Sequence, residues 1–224
     1  FSIAADESGR VLMADQWRRL KTLQVHPWLP LPQVLVGLGL DFHYDLFRVP
    51  RLLSGLAGLL TWGATVWLGH ELFRNRTATA YTAVLAALFH HRVILSNAPL
   101  AEIYVALFTV AAFAALVRYL NVRAAGWLCL SAAFLILGNA TRYESWMFTC
   151  SFVLVTALLR FDKRWRTPAW LTAALAVALA AFPLYWMYFQ HSHTGYWLDF
   201  NKAVAREYYA LYRSEEHTSE LQSL

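Results

Sequence analysis

Leu52–Gly69 reads LLSGLAGLLTWGATVWLG, an uncharged apolar run bounded by Arg51 and by His70-Glu71. A helix needs about 20 such residues to cross the hydrocarbon core of a bilayer, with a range of about 17–25. Five further runs follow: Thr77–Leu95, Leu100–Leu120, Ala124–Ala140, Trp146–Leu159 and Pro168–Phe189. The second is weakened near its end by His90-His91-Arg92, and the fifth is short. The pattern predicts an all-α polytopic transmembrane bundle with six spans in residues 51–190. Composition agrees. Of 224 residues, 58% are hydrophobic and 15% are charged, where a soluble domain carries about 25% charged residues. A soluble enzyme, a nucleic-acid binder and a disordered tail are thereby disfavoured.

Residues 1–50 are too mixed to span and are expected to form an outer loop. Met13, Trp17 and Leu20 share one helical face there, with Arg10, Arg18, Arg19 and Lys21 around it. That is the pattern of an amphipathic juxtamembrane helix lying in the interface and touching membrane lipids. HPWLPLPQ, starting at His26, is expected to run extended or turned before the first span. Residues 191–212 are expected to form another outer loop. The chain opens on Phe1 without a basic-then-apolar signal segment, and is expected to be a fragment of a longer protein. Residues 213–223, RSEEHTSELQS, match the translation of a common sequencing adapter, so 213–224 are read as an artefact.

Orientation follows from the loops. Arg74, Arg76, Arg118, Arg123, Arg160, Lys163, Arg164 and Arg166 fall on one set of connections, which the positive-inside rule puts in the cytoplasm. The formal charge of +5 is then largely a topology signal, with no nucleic acid implied. On the opposite, outer side gather Asp6-Glu7, His26, Asn97–Glu102, Thr141–Glu144 and His191–His193.

Several of these can carry chemistry, each beside a plainer role. Asp6-Glu7 is either a solvated cap or a general base able to take the proton of an attacking hydroxyl or amine. Glu102, in PLAEIYVALF, is either a carboxylate favoured by a helix N-terminus or a group facing a polar cavity. Arg142, in NATRYESW, either snorkels to headgroups or binds a phosphate through its guanidinium fork. Arg92 can assist it, and His26 and Glu144 complete the candidate substrate-binding set. The Asn139-Ala-Thr141 sequon sits at a membrane edge and is read as chance. Cys129 and Cys150 lie in apolar runs and define no disulfide framework. His191 and His193 alone make a weak metal pair, and the sequence offers no Gly-rich phosphate loop, GxSxG or CxxC.

The order of these motifs resembles the GT-C integral-membrane glycosyltransferases, in particular the protein O-mannosyltransferase and lipid A aminoarabinose-transferase branch, glycosyltransferase family 39. The likeness covers most of residues 5–160. It runs through Asp6-Glu7 ahead of a juxtamembrane helix, HPWLPLPQ, PRLLSGLAGLLTWGATVWLGHELFRNRTA and SNAPLAEIYVALFTVAAFAALVRYL. The resemblance implies a polyprenyl- or dolichyl-phosphate sugar donor and a glycan, lipid or protein acceptor. Transfer would proceed with inversion on the outer face of a bacterial cytoplasmic membrane. Asp6 would hold the catalytic acidic position with Glu7 as partner, and Glu102 the second acidic position. Arg142 falls where the family often has a lysine. No metal or other cofactor is expected. Two other classes stay open. One is a lipid or small-solute transporter or flippase, which calls for discontinuous helices near the bilayer midplane and paired half-repeats. The other is a scaffold without turnover.

Overall fold

A computed structural model describes the backbone of residues 6–23, 28–159, 161 and 167–197, and the side chains of these except Asp6, His90, His91 and Arg92. The described residues form nine helices and no strand: α1 (Asp6–Leu20), α2 (Leu31–Phe42), α3 (Arg48–Phe73), α4 (Arg76–Leu88), α5 (His90–Asn97), α6 (Ala101–Val122), α7 (Ala125–Asn139), α8 (Glu144–Leu159) and α9 (Ala169–Thr194). Two compact units divide the chain, residues 1–23 with 29–183 and residues 24–28 with 184–224.

Among the described residues three helices, α3, α6 and α9, are long and apolar enough to cross a membrane, and α2, α7 and α8 are shorter apolar helices. The surface pattern of α3 fits hydrocarbon surroundings. Its buried stripe is small or hydroxylated (Ser54, Ala57, Gly58, Thr61, Ala64), whereas Leu52, Leu56, Leu59 and Leu60 are exposed. A water-soluble helix would bury the leucines. In lipid, which solvates leucine as well as a protein core does, helices associate through small residues that let backbones approach. Gly58 shows the constraint: a Cβ built there would lie 2.4 Å from Ser96 Cβ on α5. The buried hydroxyl of Thr61 turns back onto its own helix, donating to the Ala57 carbonyl at 2.7 Å.

The seam of the first unit joins α3 to α6, which run parallel. Ala57 packs with Ile103, Tyr104 and Phe108. Near the other ends of both helices Arg118 Nη1 donates to Glu71 Oε1 at 3.1 Å. Asn121 Nδ2 donates to the Glu71 carbonyl at 2.9 Å and to its Oε2 at 3.1 Å. The Arg118 guanidinium also lies over the Trp127 ring, 5.6 Å from its centroid. A second core joins α6, α7, α8 and the first half of α9 through Leu116, Leu128, Leu135, Phe152, Leu171 and Leu179. In the smaller unit Trp186 stacks on Phe189 at 5.3 Å, and His191 lies flat against Trp197 at 4.2 Å.

Several expectations change. The run 77–95 is not one helix: Phe89 is extended (φ −68°, ψ 98°) and separates α4 from α5 just before His90-His91-Arg92. Part of HPWLPLPQ is helical, because α2 starts at Leu31 with Pro32 in its first turn, where a missing N–H removes no helical bond. Residues 24–27, His26 among them, lie outside the described residues. Helix α1 forms, with Glu7, Val11, Ala14 and Asp15 buried, Met13 and Trp17 half-buried and Leu20 exposed. Gly37 of α2 sits under Trp17, an added Cβ falling 2.5 Å from the ring. Burial of Asp15 pushes its carboxyl up, but bonds from Arg18 and Arg19 outweigh this and hold it below the usual range. Arg118, one of the basic residues assigned to the connections, is committed to Glu71, and Arg160, Lys163, Arg164 and Arg166 lie outside the described residues.

The Glu71 side chain is only 4% exposed, so removing its partner strands a charge. Arg118→Met is expected to destabilise the fold by about 3 kcal/mol, and Glu71→Leu/Arg118→Leu to recover most of that loss. Melting curves in detergent check this; equal melting of the single and double variants would remove the ion pair as the cause.

Candidate functional site

The charged residues at the end of the bundle where α3 and α6 begin are held by three local devices. Glu102 is the second residue of α6, in the first turn, where the positive helix terminus favours a carboxylate. The α7–α8 connection is a tight turn in which the Thr141 and Arg142 amides both donate to the Gly138 carbonyl, at 2.9 and 3.2 Å. The position leaves little room for a side chain, since a Cβ at 138 would sit 2.5 Å from Ser145 Oγ. Finally, the Leu31 amide that opens α2 donates to the Ala140 carbonyl at 3.0 Å, fixing α2 to the same turn.

This geometry places Arg142 between two carboxylates. Its Nη1 donates to Glu102 Oε1. Its Nε and Nη2 grip Glu144 Oε2 and Oε1 at 3.0 and 2.7 Å, a side-on fork. The bonds from Arg142 hold the Glu144 carboxyl below the usual range, and those from Glu144 raise the Arg142 guanidinium. Glu102 keeps one oxygen, Oε2, shielded from solvent and without a hydrogen-bond partner. A carboxylate fixed on one oxygen by arginine and open on the other is suited to receiving a hydroxyl or amine N–H. Three of the five guanidinium N–H groups are engaged in this way, leaving one on Nη1 and one on Nη2 for a phosphate oxygen, and Glu144 is the more exposed of the two carboxylates (57% against 38%).

A second ion pair lies at the start of α3. Glu7, buried on α1, accepts from Arg51 Nη2, and the Arg51 guanidinium lies 3.7 Å above the Phe47 ring. Asp6 is the first residue of α1, and its side chain lies outside the description. Arg92 lies on α5 with its side chain likewise outside it. Glu102, Arg142 and Glu144 are thus brought together, and Glu7 is joined to a different arginine.

Sequence reading passed over Arg51, which lies 44 residues from its partner. The available signal was an arginine entering the first apolar run on the side of the acidic pair. It also passed over Glu71, an acid among the basic residues of its connection. Among the described residues no three histidine, cysteine, aspartate or glutamate side chains gather as a metal site. A separate cleft of about 410 Å³ between α3, α4 and α5 is lined, among the described residues, by Gly58, Leu59, Trp62, Ala87, Val93 and Ser96. Asn139 of the sequon is fully buried with its amide engaged, so the folded chain does not present it for modification.

The Glu144 carboxyl titrates lower in the folded state than its ordinary value of 4.5. Its contribution to stability is therefore complete above that value and is lost as the pH falls below it through the folded value. Melting temperature followed from pH 6 downward should fall less steeply in Glu144→Gln than in the wild type; parallel profiles would show that the pair contributes nothing.

Compared with known proteins, the chain matches no family model, no curated protein and no solved structure.

Proposed function

We propose that the chain is part of a multi-pass GT-C-type glycosyltransferase that moves a sugar from a polyprenyl-phosphate donor to an acceptor on the outer face of a bacterial cytoplasmic membrane. The observation that carries the reading is the meeting of Glu102, Arg142 and Glu144 at the end of the bundle where α3, with its Glu7–Arg51 pair, also begins. Acceptor chemistry and phosphate chemistry call for those two kinds of group side by side. In this reading Asp6 takes the proton of the acceptor hydroxyl or amine as its oxygen or nitrogen attacks the sugar C1. The C1–O bond to phosphate breaks with inversion, and the phosphate leaves toward Arg142. Glu102 orients the acceptor through its open oxygen, and Glu144 keeps the guanidinium aligned while its remaining N–H groups face the phosphate.

A transporter reading draws on the interruption of the α4–α5 helix at Phe89, because transporters build midplane sites from broken helices. Against it, the charged groups at the two ends of α6, Glu102 and Arg118, stand about 24 Å apart. Residues 103–117 between them contain no charged side chain. The buried residues of that stretch are Ile103, Tyr104, Phe108, Ala111, Ala112, Ala114, Ala115 and Leu116, a plug rather than a polar path.

The test uses the full-length protein in membranes supplied with a radiolabelled polyprenyl-phosphate sugar. Asp6→Asn is expected to lower release of label from the lipid by about 10²-fold or more while membrane insertion is unchanged, and Arg142→Ala to lower it by a comparable factor. Undiminished release from Asp6→Asn removes that residue from the mechanism. No release from wild type with any of several donors, together with movement of label across sealed vesicles, replaces the enzyme by the transporter.

A further inference from the structure

Asn139 is the last residue of α7 and is fully buried. An amide without partners would be costly there, yet both ends of this one are bonded from other helices. Its Oδ1 accepts from Thr149 Oγ1 at 2.9 Å and its main-chain carbonyl from Trp146 Nε1 at 3.0 Å, both donors lying on α8. Its Nδ2 donates to the Leu179 carbonyl of α9 at 3.2 Å. In an uninterrupted helix that carbonyl would accept from the amide of residue 183, but Pro183 has no N–H. Proline is tolerated inside an apolar helix where a neighbour satisfies the freed group in this way. Asn139, Thr149, Leu179 and Pro183 all belong to the first unit.

What this network encloses is the α7–α8 turn. Residues 140–143 join Asn139 to the start of α8, so the bonds from Trp146 and Thr149 close the base of the turn, and the bond to Leu179 ties that base to α9. We propose that Asn139 is a positioning residue for Arg142: with Thr149 and the carbonyl freed by Pro183, it fixes the turn from which the guanidinium reaches Glu102 and Glu144. An apolar residue at 139 with alanine at 183 would satisfy the Leu179 carbonyl without burying an amide. The asparagine and proline together give up one helical bond on α9, and in exchange the turn has directional attachments, which a satisfied buried polar network supplies and an apolar contact does not. The consequence for catalysis rests on the glycosyltransferase reading, in which Arg142 receives the leaving phosphate; the fixing of the turn does not.

The Thr149 hydroxyl is the least disruptive place to test this. Thr149→Val keeps the shape and removes the donor to Asn139, whereas Thr149→Ser keeps the donor and removes a methyl group. In the label-release assay on the full-length protein at saturating donor, Thr149→Val is expected to lower kcat about tenfold. Thr149→Ser should stay near wild type, and Asn139→Ala should lose more than Thr149→Val. A packing role predicts the reverse order for the two Thr149 variants, since serine opens a cavity and valine does not. Wild-type turnover in Thr149→Val, or an equal loss in Thr149→Ser, overturns the proposal. Amide hydrogen exchange over residues 140–146 is a readout that needs no turnover. The Thr141 and Arg142 amides, bonded to the Gly138 carbonyl, should exchange about tenfold faster in Thr149→Val and at the wild-type rate in Thr149→Ser. Unchanged exchange in Thr149→Val overturns the proposal as well. If wild type releases no label from any donor, the glycosyltransferase reading falls, and the exchange rates alone decide whether Asn139 fixes the turn.

Discussion

The parallel contact between α3 and α6 is the constraint on which the first unit depends. Two parallel helices adjacent in space cannot be joined by a short turn, so the chain must return between them, and α4 with α5 is that return. The return adjoins α3 at positions without side-chain bulk, Gly58 against Ser96 and Gly69 against Thr82, where a Cβ would fall 2.4 and 2.7 Å from its neighbour. These close approaches hold the return against α3, while the seam itself is packed by Ala57, Ile103, Tyr104 and Phe108.

Three polar arrangements are spread along this frame. At one end Arg142 joins α6 to the α7–α8 turn through carboxylates; at the other Arg118 and Asn121 join α6 to α3 through Glu71. Between α7, α8 and α9 the Asn139 amide repairs a proline's missing bond. Each arrangement satisfies groups that would be costly to leave alone in apolar surroundings. They differ in what remains over. The Glu71 cluster closes on itself, as a structural tie does. The Arg142 cluster leaves a shielded carboxylate oxygen and two guanidinium N–H groups, the properties on which the glycosyltransferase proposal draws.

Much of the helical architecture was legible in the sequence, because hydropathy reports how a single helix partitions between water and lipid, and that is a local property. The runs at 52–69, 100–120 and 168–189 correspond to the three long apolar helices. The break at Phe89 was half visible: three ionisable residues weakened the run, and the chain abandons helical dihedrals one residue before them. What could not be read was pairing. Arg142 finds Glu102 from 40 residues away, Glu7 finds Arg51 from 44, and Asn139 finds Leu179 from 40. Such partners depend on which faces of which helices cross, and between helices in lipid no hydrophobic periodicity records the choice. The seat that Gly37 of α2 gives Trp17 of α1 was unreadable for the same reason.

The separation of 47 positions from Glu71 to Arg118 also bears on biosynthesis. On the multi-pass reading, α3 enters the bilayer before its cation has been made. At a ribosomal pace of about 5–20 residues per second, Glu71 waits roughly 2–9 s for Arg118. A carboxylate left in hydrocarbon for that time would favour slipping the helix outward. Its place in the last turn of α3, two residues before Phe73, lets it wait at headgroup depth instead. Assembly can then be ordered in time: the acid is parked at the surface, the return segment is threaded, and arrival of α6 draws the carboxylate into its buried position.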